Sequence, residues 1–228
     1  MQDFLTIERA DIKKRSVTER TKDFKEIYEL LSKDDMQEQS SRCIQCGDPF
    51  CHNKCPLHNF IPFWLKAVGA RADIRTAFAL SNESNPFPEI TGRVCPQDRL
   101  CEGDCSLNDN KYGAVTIGAI EAAISENGFR NGLKPIFTTK KTGKSVAIVG
   151  SGPASISAAT YLLRAGIKVV MYEKQNRAGG LLTYGIPGFK IEKEIIARRV
   201  NWLIEAGLEL KTNTKVGEDV AFSELVNS

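Results

Sequence analysis

The sequence predicts a multi-domain chain: an all-α, cysteine-rich domain over residues 1–140, followed by an incomplete α/β domain over residues 141–228. Three observations carry that division. All seven cysteines lie before residue 106, in two tight runs. Around them the hydrophobic pattern breaks into short helical stretches and loops. After residue 140 it changes to β-branched runs alternating with amphipathic stretches, and a glycine-rich turn sits at the first junction.

At 228 residues the chain is long enough for one large domain or two modest ones. It is 42% hydrophobic and 26% charged, with a net charge of +3. No Lys/Arg stripe interleaves with aromatics, so no nucleic-acid surface is expected. No apolar stretch reaches membrane-spanning length, so no membrane contact is expected either. The start, MQDFLTIERADIKKR, lacks the apolar core of a secretory signal, which places the expected location in the cytoplasm. In a reducing compartment an odd, dense set of cysteines points to metal or redox chemistry rather than disulfides.

Taken in order, SVTERTKDFKEIYELL opens with a capping-box pattern, Ser16 and Glu19, and places Phe24, Ile27, Leu30 and Leu31 on one face of a helix leading into the cysteines. IPFWLKAVGARADIRTAFAL (61–80) predicts two short helices broken near Gly69, with Phe63, Trp64, Ile74 and Phe78 in the core. VTIGAIEAAISENG (115–128) predicts a third, with Ile117, Ile120 and Ile124 inward and Gly128 stopping it. KPIFTTKKTGK (134–144) reads as a solvated basic linker. SVAIVGSGPASISAATYLLRAGIKVVMYEK (145–174) then runs strand, glycine turn, helix, Gly166, strand: a βαβ unit. IEKEIIARRVNWLIEAG (191–207) is a further helix closed by Gly207, and LELKTNTKV (208–216) alternates as a strand does.

The cysteines are spaced Cys43-x2-Cys46-x4-Cys51-x3-Cys55-Pro56 and then Cys95-Pro96-x4-Cys101-x3-Cys105. Two thiolates separated by two residues reach one metal centre from a tight turn. Prolines directly after Cys55 and Cys95 resemble the bacterial ferredoxin ending, in which the last cysteine of a run ligates the other cluster. Seven thiolates exceed one four-iron cluster and fall one short of two. Cys43, Cys46 and Cys51 with Cys105 could therefore bind one [4Fe–4S] cluster. Cys55, crossing over, could join Cys95 and Cys101 at a second, whose eighth ligand is not cysteine: Glu121, Glu102, Asp104, His52 and His58 all remain open. Zinc is the rival, with one site of four cysteines and one of three cysteines and a histidine. The cysteine–proline endings and the paired spacings favour iron–sulfur. Taken alone, His52 and His58 read as groups packed outside a metal's ligands.

VAIVGSGPAS follows a strand and opens a helix, the setting the dinucleotide fingerprint requires. Gly150 permits the tight turn, and Gly152 lets the backbone approach a pyrophosphate at the positive end of the helix that begins with Pro153 and Ala154. The third glycine position holds Ser155, which is small enough for close helix–strand packing. Glu173 ends the second strand, 23 residues after Gly150. There it would accept a hydrogen bond from a ribose hydroxyl and repel a 2′-phosphate, so NADPH is not expected at this turn. The loop NRAGGLLTYGIPGFKI (176–191) brings Gly179, Gly180 and Leu181 to the same end, where a large flat cofactor such as FAD would sit.

Together ERTKDF, CIQCGDPFCHNKCP, NPFPEITGRVCPQDRLCEGDCSL, VAIVGSGPAS and GGLLTYGIPGFKI resemble the small (beta) subunit of bacterial glutamate synthase over essentially the whole chain. The same module occurs in the amino-terminal part of dihydropyrimidine dehydrogenase and in NADPH-dependent ferredoxin oxidoreductases. The resemblance implies an alpha-helical ferredoxin-like domain with two [4Fe–4S] clusters, followed by a Rossmann-type FAD domain. It implies Glu121, sixteen residues after Cys105, as the missing ligand. The implied sets are Cys43, Cys46, Cys51 and Cys105 for one cluster, and Cys55, Cys95, Cys101 and Glu121 for the other. Family subunits run to about twice this length and carry a second glycine-rich fingerprint for NADPH. The chain is accordingly expected to be an amino-terminal part without an NADPH site, inactive in NADPH oxidation by itself. The implied function is electron transfer from NADPH through FAD and both clusters to the glutamate synthase large (alpha) subunit, which makes glutamate from glutamine and 2-oxoglutarate. No acid, base or nucleophile of this chain is expected to be catalytic. Two alternatives stand beside this: a ferredoxin- or pyrimidine-linked oxidoreductase subunit built on the same module, and a zinc-stabilised interaction module whose nucleotide half has decayed.

Overall fold

The computed structural model describes residues 3–227 and separates into two compact units, Met1–Lys134 and Pro135–Ser228. In the first, α1 (Val17–Arg20) begins with the expected capping box but stops after one turn. The longer helix over 16–31 does not form, because Arg15 and Asp23 make a two-pronged ion pair, at 2.9 and 2.7 Å, that folds the chain back. The Arg15 N–H then donates to Ile27 O and the Glu29 N–H to Lys13 O, as an antiparallel bridge between Lys14 and Tyr28. Phe24, expected on a packed face, is 81% exposed as a result.

Helix α2 (Lys33–Ser41) is capped by Ser32, whose hydroxyl accepts from the Asp35 N–H at 3.0 Å. A short α3 (Phe50–Lys54) carries Cys51. The next pair, α4 (Ile61–Gly69) and α5 (Ile74–Ser84), breaks where expected, with Asp73 capping the second helix. Trp64 and Phe78 are buried, Ile74 is half-buried, and Phe63 points outward at 58% exposure. Helix α6 (Pro88–Val94) crosses α7 (Ile117–Arg130) at backbone contact, since a Cβ on Gly92 would lie 2.8 Å from Gly118 O and Ala122 N. Helix α7 buries Ile117, Ile120 and Ile124 in the core of this unit and continues past Gly128. That glycine is a contact point rather than a stop: a Cβ there would lie 2.2 Å from Phe78 Cδ2.

The second unit is built on three parallel strands, β1 (Ser145–Val149), β2 (Lys168–Tyr172) and β3 (Leu208–Lys211), in the order β1-β2-β3. Ser145 pairs with Lys168, and Val169 with Leu208. Helix α8 (Pro153–Arg164) links the first two strands; α9 (Leu181–Tyr184) and α10 (Lys193–Glu205) link the second and third. Ile156 and Leu163 of α8, Val169 and Met171 of β2, and Ile196 and Leu203 of α10 are buried. The end of the 134–144 stretch is held rather than loose: the Thr142 N–H donates to Gly166 O at 3.0 Å and the Lys168 N–H to Lys144 O at 2.9 Å. Strand β3 ends at Lys211, short of 216, because the chain turns through Asn213 (φ +51), whose N–H bonds Gln175 O at 3.0 Å. A last helix, α11, spans Phe222–Asn227. Among the described residues, no helix is long and apolar enough to cross a membrane.

Candidate metal centres and nucleotide turn

The first cysteine run leaves α2, turns, and enters α3, while Cys105 approaches in the loop ahead of α7. Cys43, Cys46, Cys51 and Cys105 line one small cavity, walled by Phe50, Pro62, Leu65, Leu107, Val115 and Ile117. All seven cysteines are free thiols. Burial, then the neighbouring Cys105, Cys43 and Cys46, pushes the Cys51 thiol up to about 12. Burial likewise raises Cys43. Buried, raised thiols such as Cys43 and Cys51 become thiolates only beside a strong positive charge, which a metal core supplies.

Arg42 sharpens that argument. Its guanidinium is fully buried and donates only to carbonyls: Ile7 O at 3.0 Å, Ala114 O at 2.8 Å, Gly113 O at 3.1 Å and Tyr112 O. No carboxylate pairs with it among the described residues. Burial, and then Arg9, pull its pKa below the usual value, while Cys105 acts in the opposite direction. A buried cation without a counter-charge is costly, and a centre held by four thiolates carries net negative charge. The donor set and the orphaned cation therefore both fit an iron–sulfur cluster.

The second group comes from element ends. Cys55 caps α3, Cys95 caps α6, Cys101 follows the next turn, and Glu121 lies in the middle of α7. Burial, then Glu121 and Cys55, push the Cys95 thiol up to about 11. Cys101 is raised by burial, Glu121, Glu102, Cys55 and Cys51, so these side chains share one electrostatic neighbourhood. The buried Glu121 carboxylate is held up to about 7 by burial, against the donors Asn85 and Thr91. Its Oε1 accepts from Asn59 Nδ2 at 3.0 Å and from Asn85 Nδ2 at 3.1 Å, and its Oε2 from Thr91 Oγ1 at 3.1 Å. A carboxylate oxygen has room for two bonds, so Oε2 retains capacity for one more partner.

The other candidates for the eighth position are engaged elsewhere. Glu102 pairs with Arg9 at 2.6 Å and accepts the Gly118 N–H at 3.0 Å. Asp104 pairs with Lys54 at 3.4 Å. His52 Nδ1 lies 2.9 Å from Asn59 O, and its ring stacks on Phe60 and tilts against His58. Among the described residues no three His, Cys, Asp or Glu side chains gather as the ligands of one ion would. In a four-iron cube each thiolate sits on its own iron, so cluster ligands stand farther apart than those around a single zinc.

In the second unit, Gly150 takes φ +91 at the end of β1, and Gly152 caps α8 with open space where a Cβ would be. Pro153 and Ala154 are exposed and Ser155 is half-buried at the start of that helix. Gly180 (φ +51) presses on this turn so closely that a Cβ would lie 2.8 Å from Gly152 Cα, while Leu181 projects outward at 75% exposure. Glu173 is buried and turned toward the glycine-rich loop. Its Oε2 accepts from the N–H of Ser151, at 3.0 Å, and from the Ser151 hydroxyl; its Oε1 takes the Gln175 N–H at 2.8 Å. The glycine turn, Glu173 and the Gly179–Gly180 loop thus meet through Ser151, whose carbonyl and hydroxyl both accept from the Gly179 N–H. Open backbone at Gly152 and N–H groups at the start of a twelve-residue helix suit a pyrophosphate.

Sequence reasoning gave no role to Ser151, Asn59, Asn85 or Thr91. Asn59 is the clearest omission: buried, it donates to Glu121 and to Ser81 O and accepts from Trp64 Nε1 at 3.0 Å. In sequence it is an asparagine after CPLH, indistinguishable from a turn residue.

With two groups of thiols in a helical unit and a glycine turn on a parallel sheet, the chain is an iron–sulfur domain followed by a Rossmann-like nucleotide-binding domain. It belongs to the family described as dihydropyrimidine dehydrogenase domain II, 4Fe–4S cluster, whose profile matches residues 20–133. Residues 148–197 match an NAD(P)-binding Rossmann-like domain. Over 225 residues, 98% of the chain, it is 47% identical to the glutamate synthase [NADPH] small chain of Escherichia coli (strain K12), covering 47% of that protein. The same protein of Azospirillum brasilense is 46% identical over 213 residues, 93% of this chain and 44% of its own length. A protein of E. coli named as an oxidoreductase, AegA, is 44% identical over 220 residues, 96% of this chain and 33% of its own length. The chain thus spans about half the length, or less, of the curated relatives it matches.

Proposed function

We propose that this chain forms the electron-relay part of an NADPH-linked flavin and iron–sulfur oxidoreductase of the glutamate synthase small-subunit kind. The observation that carries the proposal is the sorting of the cysteines into a four-thiol cavity and a separate set of three thiols beside a buried carboxylate. In this reading Cys43, Cys46, Cys51 and Cys105 hold one [4Fe–4S] cluster, and Cys55, Cys95, Cys101 and Glu121 hold the other. Gly150, Gly152, Pro153, Ala154, Ser155, Glu173, Gly179, Gly180 and Leu181 surround FAD. A glycine fingerprint on a βαβ unit serves NAD(P) and FAD alike; the carboxylate at Glu173, which repels a 2′-phosphate, supports FAD at this turn. When bound, the flavin supplies conversion between hydride and single-electron chemistry, and the clusters supply one-electron relay.

The chain's own residues do the holding. The apolar walls around Cys43, Cys46 and Cys51 exclude water, and Arg42 supplies fixed positive charge. Asn59, Asn85 and Thr91 orient Glu121. The relatives named glutamate synthase small chain support the large subunit of that enzyme as the partner, and glutamate synthesis as the process served. The nearly equal identity to AegA supports a second reading, in which the same relay serves a different acceptor. The test is EPR of the chain reduced after anaerobic iron and sulfide reconstitution. Two cluster signals are expected, with Cys55→Ala removing only one and Cys95→Ala removing the same one. Loss of different signals in these two variants would contradict the crossover.

A further inference from the structure

Gln45 lies between the first two cysteines and has a left-handed backbone, φ +53, one of few non-glycine residues to do so. Such a conformation is costly for a side-chain-bearing residue and is retained where the surroundings demand it. The turn directs the Gln45 side chain back into the cavity wall. Its amide nitrogen donates to Pro62 O at 2.9 Å and to Cys43 Sγ at 3.1 Å. The Pro62 carbonyl only accepts, so it must face the NH2 end of the amide. That fixes the amide orientation and leaves the second N–H aimed at the sulfur. The main-chain N–H of Gln45 acts on the same sulfur. Cys43 is buried, so these contacts lie out of bulk water, where a hydrogen bond is electrostatically stronger.

We propose that Gln45 is a positioning residue of the four-thiol site: its side-chain N–H, bonded to Cys43 sulfur, favours the reduced, more negatively charged state of the centre those thiols hold. This rests on the reading of that site as a cluster site. Hydrogen bonds to cluster sulfurs are among the established determinants of cluster potential, and the sign follows from charge. Reduction adds an electron, part of whose density lies on sulfur, and a donor N–H stabilises it. The buried guanidinium of Arg42 acts in the same sense from the neighbouring position. The second group has the opposite setting, with the carboxylates of Glu121 and Glu102 near Cys101. A change at Gln45 should therefore be felt at one centre only.

The test uses the iron-loaded 228-residue chain, with Gln45→Met, which keeps length but has no N–H, and Gln45→Glu, which places an anionic acceptor at the same reach. Iron and sulfide content are measured first, then midpoint potentials by EPR-monitored redox titration. Expected are unchanged iron and sulfide, a lower potential for one of the two transitions in Gln45→Met, a further drop in Gln45→Glu, and no movement of the other transition. Full iron with neither potential moved would overturn the inference while leaving the proposed function standing. Equal shifts of both transitions, or loss of iron from Gln45→Met, would also overturn it, because Gln45 would then act through the fold alone. An unmodified chain that takes up no iron would overturn the proposed function and this inference with it.

Discussion

Replacing Glu121 separates the shape of the second site from its charge. The carboxylate is buried, and its pKa is raised from 4.5 to about 7. With no metal bound, a raised carboxylate pKa means that the fold prefers the protonated form. The full stability is then present below pH 4.5 and is lost as pH rises toward 7. At 1.36 kcal/mol per pH unit of difference, the loss above that window is about 3 kcal/mol. The Cys95 and Cys101 thiols do not blur it, because burial and then Glu121 raise both well above pH 7. Glutamine mimics the protonated acid: its oxygen can keep both asparagine donors, and its NH2 can donate to the Thr91 hydroxyl. Metal-free Glu121→Gln should therefore be at least as stable as the parent at pH 8, by up to about 3 kcal/mol, and nearly indifferent to pH between 5 and 8. Glu121→Ala instead removes the acceptor that Asn59, Asn85 and Thr91 share and opens a cavity, costing about 3–5 kcal/mol. Urea unfolding of chelator-treated protein at pH 5 and pH 8 reads both effects. In iron-loaded protein, both variants should alter the EPR signal of one cluster. If Glu121→Gln is as destabilised as Glu121→Ala at pH 8, the argument from a buried, uncompensated carboxylate is wrong.

Other substitutions probe separate parts of the account. Cys55→Ala should reduce bound iron from about eight per chain to about four, measured by metal analysis after anaerobic reconstitution; complete loss would mean that the two groups assemble as one. Gly180→Ala forces a side chain into φ +51, with a Cβ 2.8 Å from Gly152 Cα. It should cost about 2 kcal/mol and lower the flavin retained after reconstitution; full retention would remove this loop from the nucleotide site. Gly128→Ala would ordinarily stabilise a helix interior by up to about 1 kcal/mol. Here the contact with Phe78 reverses the sign to a loss of about 1–3 kcal/mol, read as a lower urea midpoint.

The parts of the fold legible in the sequence are those whose signal is local. The βαβ unit was readable because β-branched runs, Gly150, Gly166 and a helical period coincide within thirty residues. Helix α7 was readable from Ile117, Ile120 and Ile124. Helix α2 was not, because it buries Gln39, Ser40 and Ser41 beside a single Met36, so polarity concealed its inward face. The overlong helix at 16–31 failed for a comparable reason: Phe24 and Ile27 have the right spacing, but Arg15 finds Asp23 and the chain reverses. Gly128 looked like punctuation because a glycine's contact with a distant ring leaves no trace in its neighbours. At the candidate sites the chemically distinctive residues, cysteines and fingerprint glycines, announced themselves. Their supports did not: Asn59, Asn85, Thr91 and Ser151 matter through partners roughly 22 to 62 positions away, and polar residues in loops carry no periodicity to betray such contacts.

The most direct test of the central claim is the iron, acid-labile sulfide and zinc content of the anaerobically purified chain. The account predicts about eight irons with matching sulfide per chain and no stoichiometric zinc. About two zincs per chain without sulfide would contradict it.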